Sequence, residues 1–373
     1  MGVREYAVVL LVAMLVTYLL TPIARRLAVA SGALAKVRDR DVHAIATPRW
    51  GGLAILGGLT VGLEAARHLP ALSNVFSTAN QNAAAPPRAI LSGAAIICLV
   101  GAIDDRWELD ALTKLAGQIL AAGVTVLQGV QLYFIPLPNH PSLYLSPEIG
   151  APVTILFIVV TINAVNFIDG LDGLAAGVVA IASLAFFAYS YQLLVKVGSV
   201  VMATPTLVTA LLAGACLGFL PHNFSPARVF MGDSGSMLIG LVLGGATVSL
   251  TGTIDPDQLS KHVTFTYLPI VLPFAVLAVP FADLALAVLR RTWARRSPFS
   301  PDKLHLHHRL LEIGHTQTRA VLIMYFWAAL VGSAMVLLAF SGGWWPVVSV
   351  AGSFAVLALV LSNIPRLRAA RRR

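Results

Sequence analysis

The chain has 373 residues, 57% of them hydrophobic and only 12% charged, against a charged share of roughly 25% in soluble proteins. This excludes a water-soluble globule and leaves an all-α polytopic membrane protein with no room for a large soluble domain. The net charge of +9 calls for no nucleic-acid partner, and Cys98 and Cys216, both in apolar runs, offer neither a disulfide framework nor a thiolate metal site.

Taken in order, the apolar runs predict eleven spans: 5–24, 50–67, 88–103, 111–129, 150–168, 171–193, 199–220, 236–254, 263–289, 320–340 and 346–364. The first run ends in Thr21-Pro22-Ile23 and Arg25-Arg26. It lacks a small-residue cleavage site and carries its positive charge on the wrong side for a signal peptide, so it reads as a transmembrane helix. Residues 68–87 and 253–262 read as short polar linkers, and the Pro-rich 130–149 has room for a short hairpin. No internal repeat is visible, and residues 1–373 read as one integral-membrane domain with a basic tail at 365–373.

Lys and Arg give the orientation. Of the 26, 21 fall on one set of connecting segments, and only Arg4, Arg67, Arg88, Lys196 and Lys261 fall on the other. The rich set is cytoplasmic by this rule, with the N-terminus outside and the C-terminus inside. The same bias accounts for the net charge, together with attraction to anionic lipid.

The polar groups collect on the cytoplasmic set. Asp104-Asp105 follow the third span. The stretch Asn163-Ala-Val-Asn166-Phe-Ile-Asp169-Gly170-Leu-Asp172-Gly173 lies between the fifth and sixth, and a segment with Arg228, Phe230, Gly232 and Asp233 joins the seventh and eighth. The loop 290–319 carries Lys303, His305, His307 and His308. Asn163, Asn166 and Asp169 are spaced to share a helix face, and Gly170 and Gly173 let the backbone turn and a ligand approach. Of 17 acids, 11 are on this side. A carrier would place ionisable groups along its path or near the midplane, so the pattern points to an enzyme with one site at the inner membrane surface, and a transporter is the distant alternative. Carboxylates with Asn, Lys, Arg and Gly but no thiolate suit Mg²⁺, which takes one or two carboxylates plus phosphate oxygens. That is the layout expected of phosphoryl-type transfer. The three clustered His leave a zinc reading, a phosphate or sugar role and a chance surface loop all open. Lys114 reads equally as a site group or as a Lys snorkelling to the interface.

Four of these motifs, in order between about Leu34 and Gly314, resemble those of the polyprenyl-phosphate N-acetylhexosamine-1-phosphate transferases: Gly101-Ala-Ile-Asp104-Asp105, Asn163 to Gly173, Phe230-Met-Gly-Asp233-Ser-Gly-Ser, and Pro301-Asp-Lys303-Leu-His305-Leu-His307-His308-Arg. The resemblance implies a bacterial inner-membrane enzyme in which a polyprenyl phosphate attacks the β-phosphorus of a UDP-sugar and UMP leaves, with Mg²⁺ required and Mn²⁺ a substitute. It implies Asp233 as metal ligand. It implies catalytic roles for Asp104, Asp105, Asp169, His305, His307 and His308. Substrate contacts fall to Asn166, Asp172, Phe230, Lys114, Lys303, His43 and Arg49, with Asp172 and Phe230 at the uridine. Either Asp104 or Asp105 is the base. The spacing His-Leu-His-His is similar to the branch that uses UDP-N-acetylglucosamine, and the runner-up is the branch that uses UDP-N-acetylmuramoyl-pentapeptide. The first cytoplasmic loop departs from the family in having Asp41 where Lys is usual. A homodimer is one option for the assembly.

Overall fold

The computed structural model describes residues 2–35, 46–76, 86–135, 143–197, 202–251 and 316–340, with Trp345, Ser349 and Gly352. Among these are nine helices of more than one turn or two: α1 (Val3–Ser31), α2 (Gly51–Arg67), α3 (Pro87–Trp107), α4 (Ala111–Leu127), α5 (Pro147–Ile168), α6 (Leu174–Val197), α7 (Ala203–Asn223), α8 (Gly232–Thr251) and α9 (Gln317–Phe340). Seven are long and apolar enough to cross a membrane, and α4 is a shorter apolar helix. Each falls on an expected span. The expected spans at 263–289 and, almost entirely, 346–364 lie outside the described residues. The hairpin expected after α4 is present, with Phe134–Ile135 (β1) antiparallel to Leu143–Tyr144 (β2). The linker after α2 is more ordered than expected. Within it Pro70–Ser73 forms a turn of helix, whose Ala71 and Leu72 N–H groups donate to the Glu5 carboxylate at 2.8 and 3.1 Å.

Two boundaries differ from the sequence expectation. α6 starts at Leu174, three residues late, because the Gly170–Gly173 stretch is a turn. α8 starts at Gly232, four residues early, so Gly232-Asp233-Ser234-Gly235 is the first helical turn and not a linker. A hydropathy pattern discounts these residues, whereas a helix N-terminus favours Asp and Ser there.

α8 is the axis of the bundle. It packs against α3 and α5, and also against α2, α6 and α7. α1 packs on α2 and α7, α4 on α3 and α5, α6 on α7, and α9 on α6. From Ser234 to Thr251 every α8 residue is buried. Its neighbours reach it through residues without side chains: a Cβ at Gly52 of α2 would collide with the Ser234 and Gly235 backbone, and one at Gly101 of α3 with the Asp233 and Ser234 backbone. Small residues allow such backbone-to-backbone contact where lipid gives no hydrophobic drive. α1 lies at the periphery and shows Val8, Leu11, Leu15, Leu19, Ile23 and Leu27 as one exposed apolar stripe.

Candidate active site

The close contacts of Gly52 and Gly101 gather three chain ends around the first turn of α8. That turn has unpaired N–H groups and a partial positive charge. Asp105, at the end of α3, supplies the cap from a different helix. Its Oδ1 accepts the Asp233 N–H at 2.9 Å and its Oδ2 the Ser234 N–H at 3.2 Å. Gly232 has φ +69°, and a side chain there would strike the Asp105 carboxylate, so the residue must be glycine for two reasons. Arg49 stands 4.0 Å from Asp105 Oδ1.

The segment before α2 is stitched to the same place. Phe230 N–H donates to Pro48 O at 2.8 Å, Gly51 N–H to Phe230 O at 3.1 Å, and the Trp50 indole N–H to Ala102 O at 3.0 Å. Two further bonds, Ala35 N–H to Thr47 O and Arg49 N–H to Ala33 O, clasp the two ends of the first loop. His43 lies in that loop, outside the described residues, as do Lys303, His305, His307 and His308.

The reactive groups meet at Asp233. Lys114 Nζ, in the first turn of α4, donates to Asp104 Oδ2 at 2.8 Å and also to Asp233 Oδ2. The snorkelling alternative for Lys114 is thereby overturned: its side chain turns into the protein and joins two carboxylates from two other helices. Asp104 Oδ1 accepts the Leu109 N–H at 2.8 Å, which fixes the short link between α3 and α4. Asp110 caps α4, accepting from the Thr113 hydroxyl at 2.6 Å and the Leu112 and Thr113 N–H groups. The Thr113 bonds hold its carboxyl below the usual range. Asn166 donates through Nδ2 to Asp233 Oδ1 at 2.9 Å and to Ser236 Oγ at 2.8 Å. Both Asp233 oxygens are therefore engaged, one by an ammonium and one by an amide.

The neighbours of Asn166 on α5 diverge. Asn163 pairs with Gln118 of α4, its Nδ2 donating to Gln118 Oε1 at 2.7 Å, so it braces the helices below the site. Asp169 ends α5. Its carboxyl is crowded by protein, and desolvation, reinforced by Asp233 and Asp105, pushes its pKa up to about 8. Physically, a third negative charge beside Asp105 and Asp233 is resisted, and the group keeps its proton at neutral pH. Asp172 is buried, and its Oδ2 accepts the Ala227 N–H at 3.0 Å. This ties the α5–α6 turn to the α7–α8 loop that ends in the half-buried Phe230.

Three contributors were not singled out from sequence: Gln118, Asn223 and Tyr325. Asn223 accepts the Gly173 N–H at 3.1 Å and donates to Val229 O at 3.0 Å. The available signal for Gln118 was a lone amide inside an apolar run; nothing local marked Tyr325.

The donor set suits a hard cation. Asp104 and Asp233 converge tightly enough to share one ammonium. Among the described residues no three His, Cys, Asp or Glu side chains form a metal cage.

Comparison with known proteins matches this region. Residues 88–251, from α3 to the end of α8, match the family described as Glycosyl transferase family 4. A decaprenyl-phosphate N-acetylglucosaminephosphotransferase of Mycolicibacterium smegmatis is 46% identical, covering 98% of this chain and 89% of its own length. The chain belongs to glycosyl transferase family 4. Other members of the family are similar at lower identity. A protein of Bacillus subtilis named as a probable undecaprenyl-phosphate N-acetylglucosaminyl 1-phosphate transferase is 34% identical over 85% of this chain and 80% of its own. A phospho-N-acetylmuramoyl-pentapeptide-transferase of Mycobacterium bovis is 31% identical over 87% and 93%. The family match ends before the His-containing loop, so it rests on the acid motifs and the helices that gather them.

Proposed function

We propose that this protein transfers N-acetylglucosamine-1-phosphate from UDP-N-acetylglucosamine to a polyprenyl phosphate in the membrane, giving polyprenyl-diphospho-N-acetylglucosamine and UMP. The observation that carries the reading is the cluster Asp104–Lys114–Asp233–Asn166 at the N-terminus of a buried helix, in a chain 46% identical to a decaprenyl-phosphate N-acetylglucosaminephosphotransferase. The 31% identity to a muramoyl-pentapeptide transferase leaves that substrate behind.

In this reading the site faces the cytoplasm of a bacterial inner membrane, where lipid phosphate arrives from the bilayer and nucleotide sugar from the cytosol. All of 1–373 acts as one domain with eleven spans. The arrangement of the helices supports the count, since α8 begins at the site with Gly232 and ends away from it at Thr251, while α9 brings Tyr325 back beside Gly173, which fits the further crossing expected at 263–289.

Asp233 would hold Mg²⁺, with Mn²⁺ as a substitute, and the ion would neutralise charge on the diphosphate. Lys114 offers its ammonium to phosphate oxygens next to them. Asp105 spends its oxygens on the α8 amides and so holds Asp233 in place; of the adjacent pair, Asp104 is the one turned towards the reacting groups and is the candidate base for the lipid phosphate. Asn166 orients Asp233. Asp169 stores a proton near the charge that UMP carries away. Asp172 and Phe230 read the uridine by hydrogen bonding and ring stacking, and His43, Arg49, Lys303, His305, His307 and His308 complete the phosphate and sugar contacts from the cytoplasmic loops. The acceptor phosphate oxygen bonds to the β-phosphorus as the bond to the UMP oxygen breaks.

The test is purified protein with Mg²⁺ and a polyprenyl phosphate, given UDP-N-acetylglucosamine or UDP-N-acetylmuramoyl-pentapeptide, with UMP and lipid product followed. UMP from the first donor alone is expected. Turnover of the second alone would move the enzyme to the other branch, and turnover of neither would remove the transferase reading.

A further inference from the structure

The turn Asp169–Gly173 carries two acids, and one of its anchors comes from the far end of the described chain. The Tyr325 hydroxyl, on α9, donates to the Gly173 carbonyl oxygen. The phenol ring lies directly over Gly177 on the first turns of α6: a Cβ at Gly177 would fall within the ring. Gly173 has φ +78°, and a Cβ there would come within 3.1 Å of Phe224 and 3.2 Å of the Tyr325 oxygen. The other polar backbone group of Gly173, its N–H, is held by Asn223. Gly173 is thus gripped through its N–H by α7 and through its carbonyl oxygen by α9, and the same oxygen accepts the Gly177 N–H of α6 at 3.0 Å. The residue before it is Asp172, whose carboxylate reaches Ala227 in the loop leading to Phe230.

We infer that Tyr325 is a positioning residue for the nucleotide end of the donor site: its hydroxyl sets the Gly173 peptide, and through it the place of Asp172 relative to Phe230. The inference rests on the reading of Asp172 and Phe230 as the uridine contacts. It assigns to α9, which lies outside the region matched to the family, a part in donor recognition. Tyr325 touches no substrate itself. The phosphate-side cluster of Asp104, Lys114 and Asp233 is held by other contacts, so the hydroxyl acts on nucleotide affinity and leaves the acceptor side alone.

The experiment compares Tyr325→Phe, which removes one oxygen and keeps the ring, with Gly177→Ala, which pushes the ring away, in the full-length protein. UMP binding is measured by calorimetry, and KM for each substrate and kcat by UMP release. The expected result is UMP affinity weaker by about fivefold and KM for the UDP-sugar raised in step, in both variants. KM for polyprenyl phosphate and kcat stay within about twofold, and the double variant is no worse than the stronger single one. Unchanged UMP affinity in Tyr325→Phe overturns the proposal, as does an equal change in kcat and both KM values. Asp172→Asn separates the two readings. If it weakens UMP binding while Tyr325→Phe does not, the positioning role alone falls. If Asp172→Asn also leaves UMP binding unchanged, the uridine reading of Asp172 falls with it.

Discussion

α1 and α8 are both membrane-length helices, and the more apolar of the two is the less buried. α1 is rich in Leu and Val and shows a whole stripe of them at the surface, whereas α8, with five glycines and repeated Ser and Thr, is enclosed on every side. In water the order would be reversed. In a bilayer lipid is as good a solvent for Leu as protein is, so burial follows from small residues that let backbones meet. The helix that looks least membranous is the one that the others are built around, and its polar first turn gathers Asp104, Lys114 and Asn166 around Asp233.

This contrast can be broken by substitution. The largest effect is expected at Gly52→Val. The side chain would meet the backbone of α8, which has no rotamer to give way, so the cost lies at or above the top of the roughly 1–3 kcal/mol typical of overpacking. Folded protein by size-exclusion chromatography in detergent should be nearly lost. Next come Asp233→Asn and Lys114→Met, which leave the packing of α8 intact; each should lower kcat by about 10²–10³-fold, the scale for removing one preorganised electrostatic group, with a melting temperature close to that of the parent. Normal turnover in either variant would separate the α8 N-terminus from catalysis.

A smaller effect is expected from pH. The folded chain holds the Asp169 proton up to about 8, whereas the unfolded chain releases it near 3.8. Between those values the folded state binds more protons, so stability falls as pH rises through that window and levels off above it. Asp169→Asn should flatten the decline in melting temperature between about pH 5 and pH 8; a parallel slope in parent and variant would show that the carboxyl is ionised in the fold. The smallest effect belongs to α1. Leu15→Ala, on the exposed stripe, should change stability by less than about 0.5 kcal/mol and activity not at all. A large loss there would mean that protein, and not lipid, covers the stripe.

Much of the helix plan was legible in the sequence, because a span is a local property: a run of apolar residues and the polar residues that end it. The gathering of Asp104, Asn166, Asp169 and Asp233 was legible for a related reason. Alternating spans put every second link on one face, and 11 of the 17 acids fall on those links. What was not legible is non-local. Lys114 is 119 residues from Asp233, and nothing in its own helix separates a bridging ammonium from a snorkelling one. Asp105 looked like the twin of Asp104, and only the fold gives one of them two α8 amides and the other a lysine. The same holds for Asn163, whose helical spacing to Asn166 suggested a shared task but whose partner is Gln118. Asn223 and Tyr325 carry no motif of their own and matter through the peptide of Gly173.

The short link between α3 and α4 has a consequence for how the protein is made. Asp104 and Lys114 are ten residues apart and paired across that link, so these two charges can neutralise one another soon after synthesis. Asp233 arrives more than a hundred residues later. Until α8 threads into the middle of the bundle, that ion pair lacks its third partner.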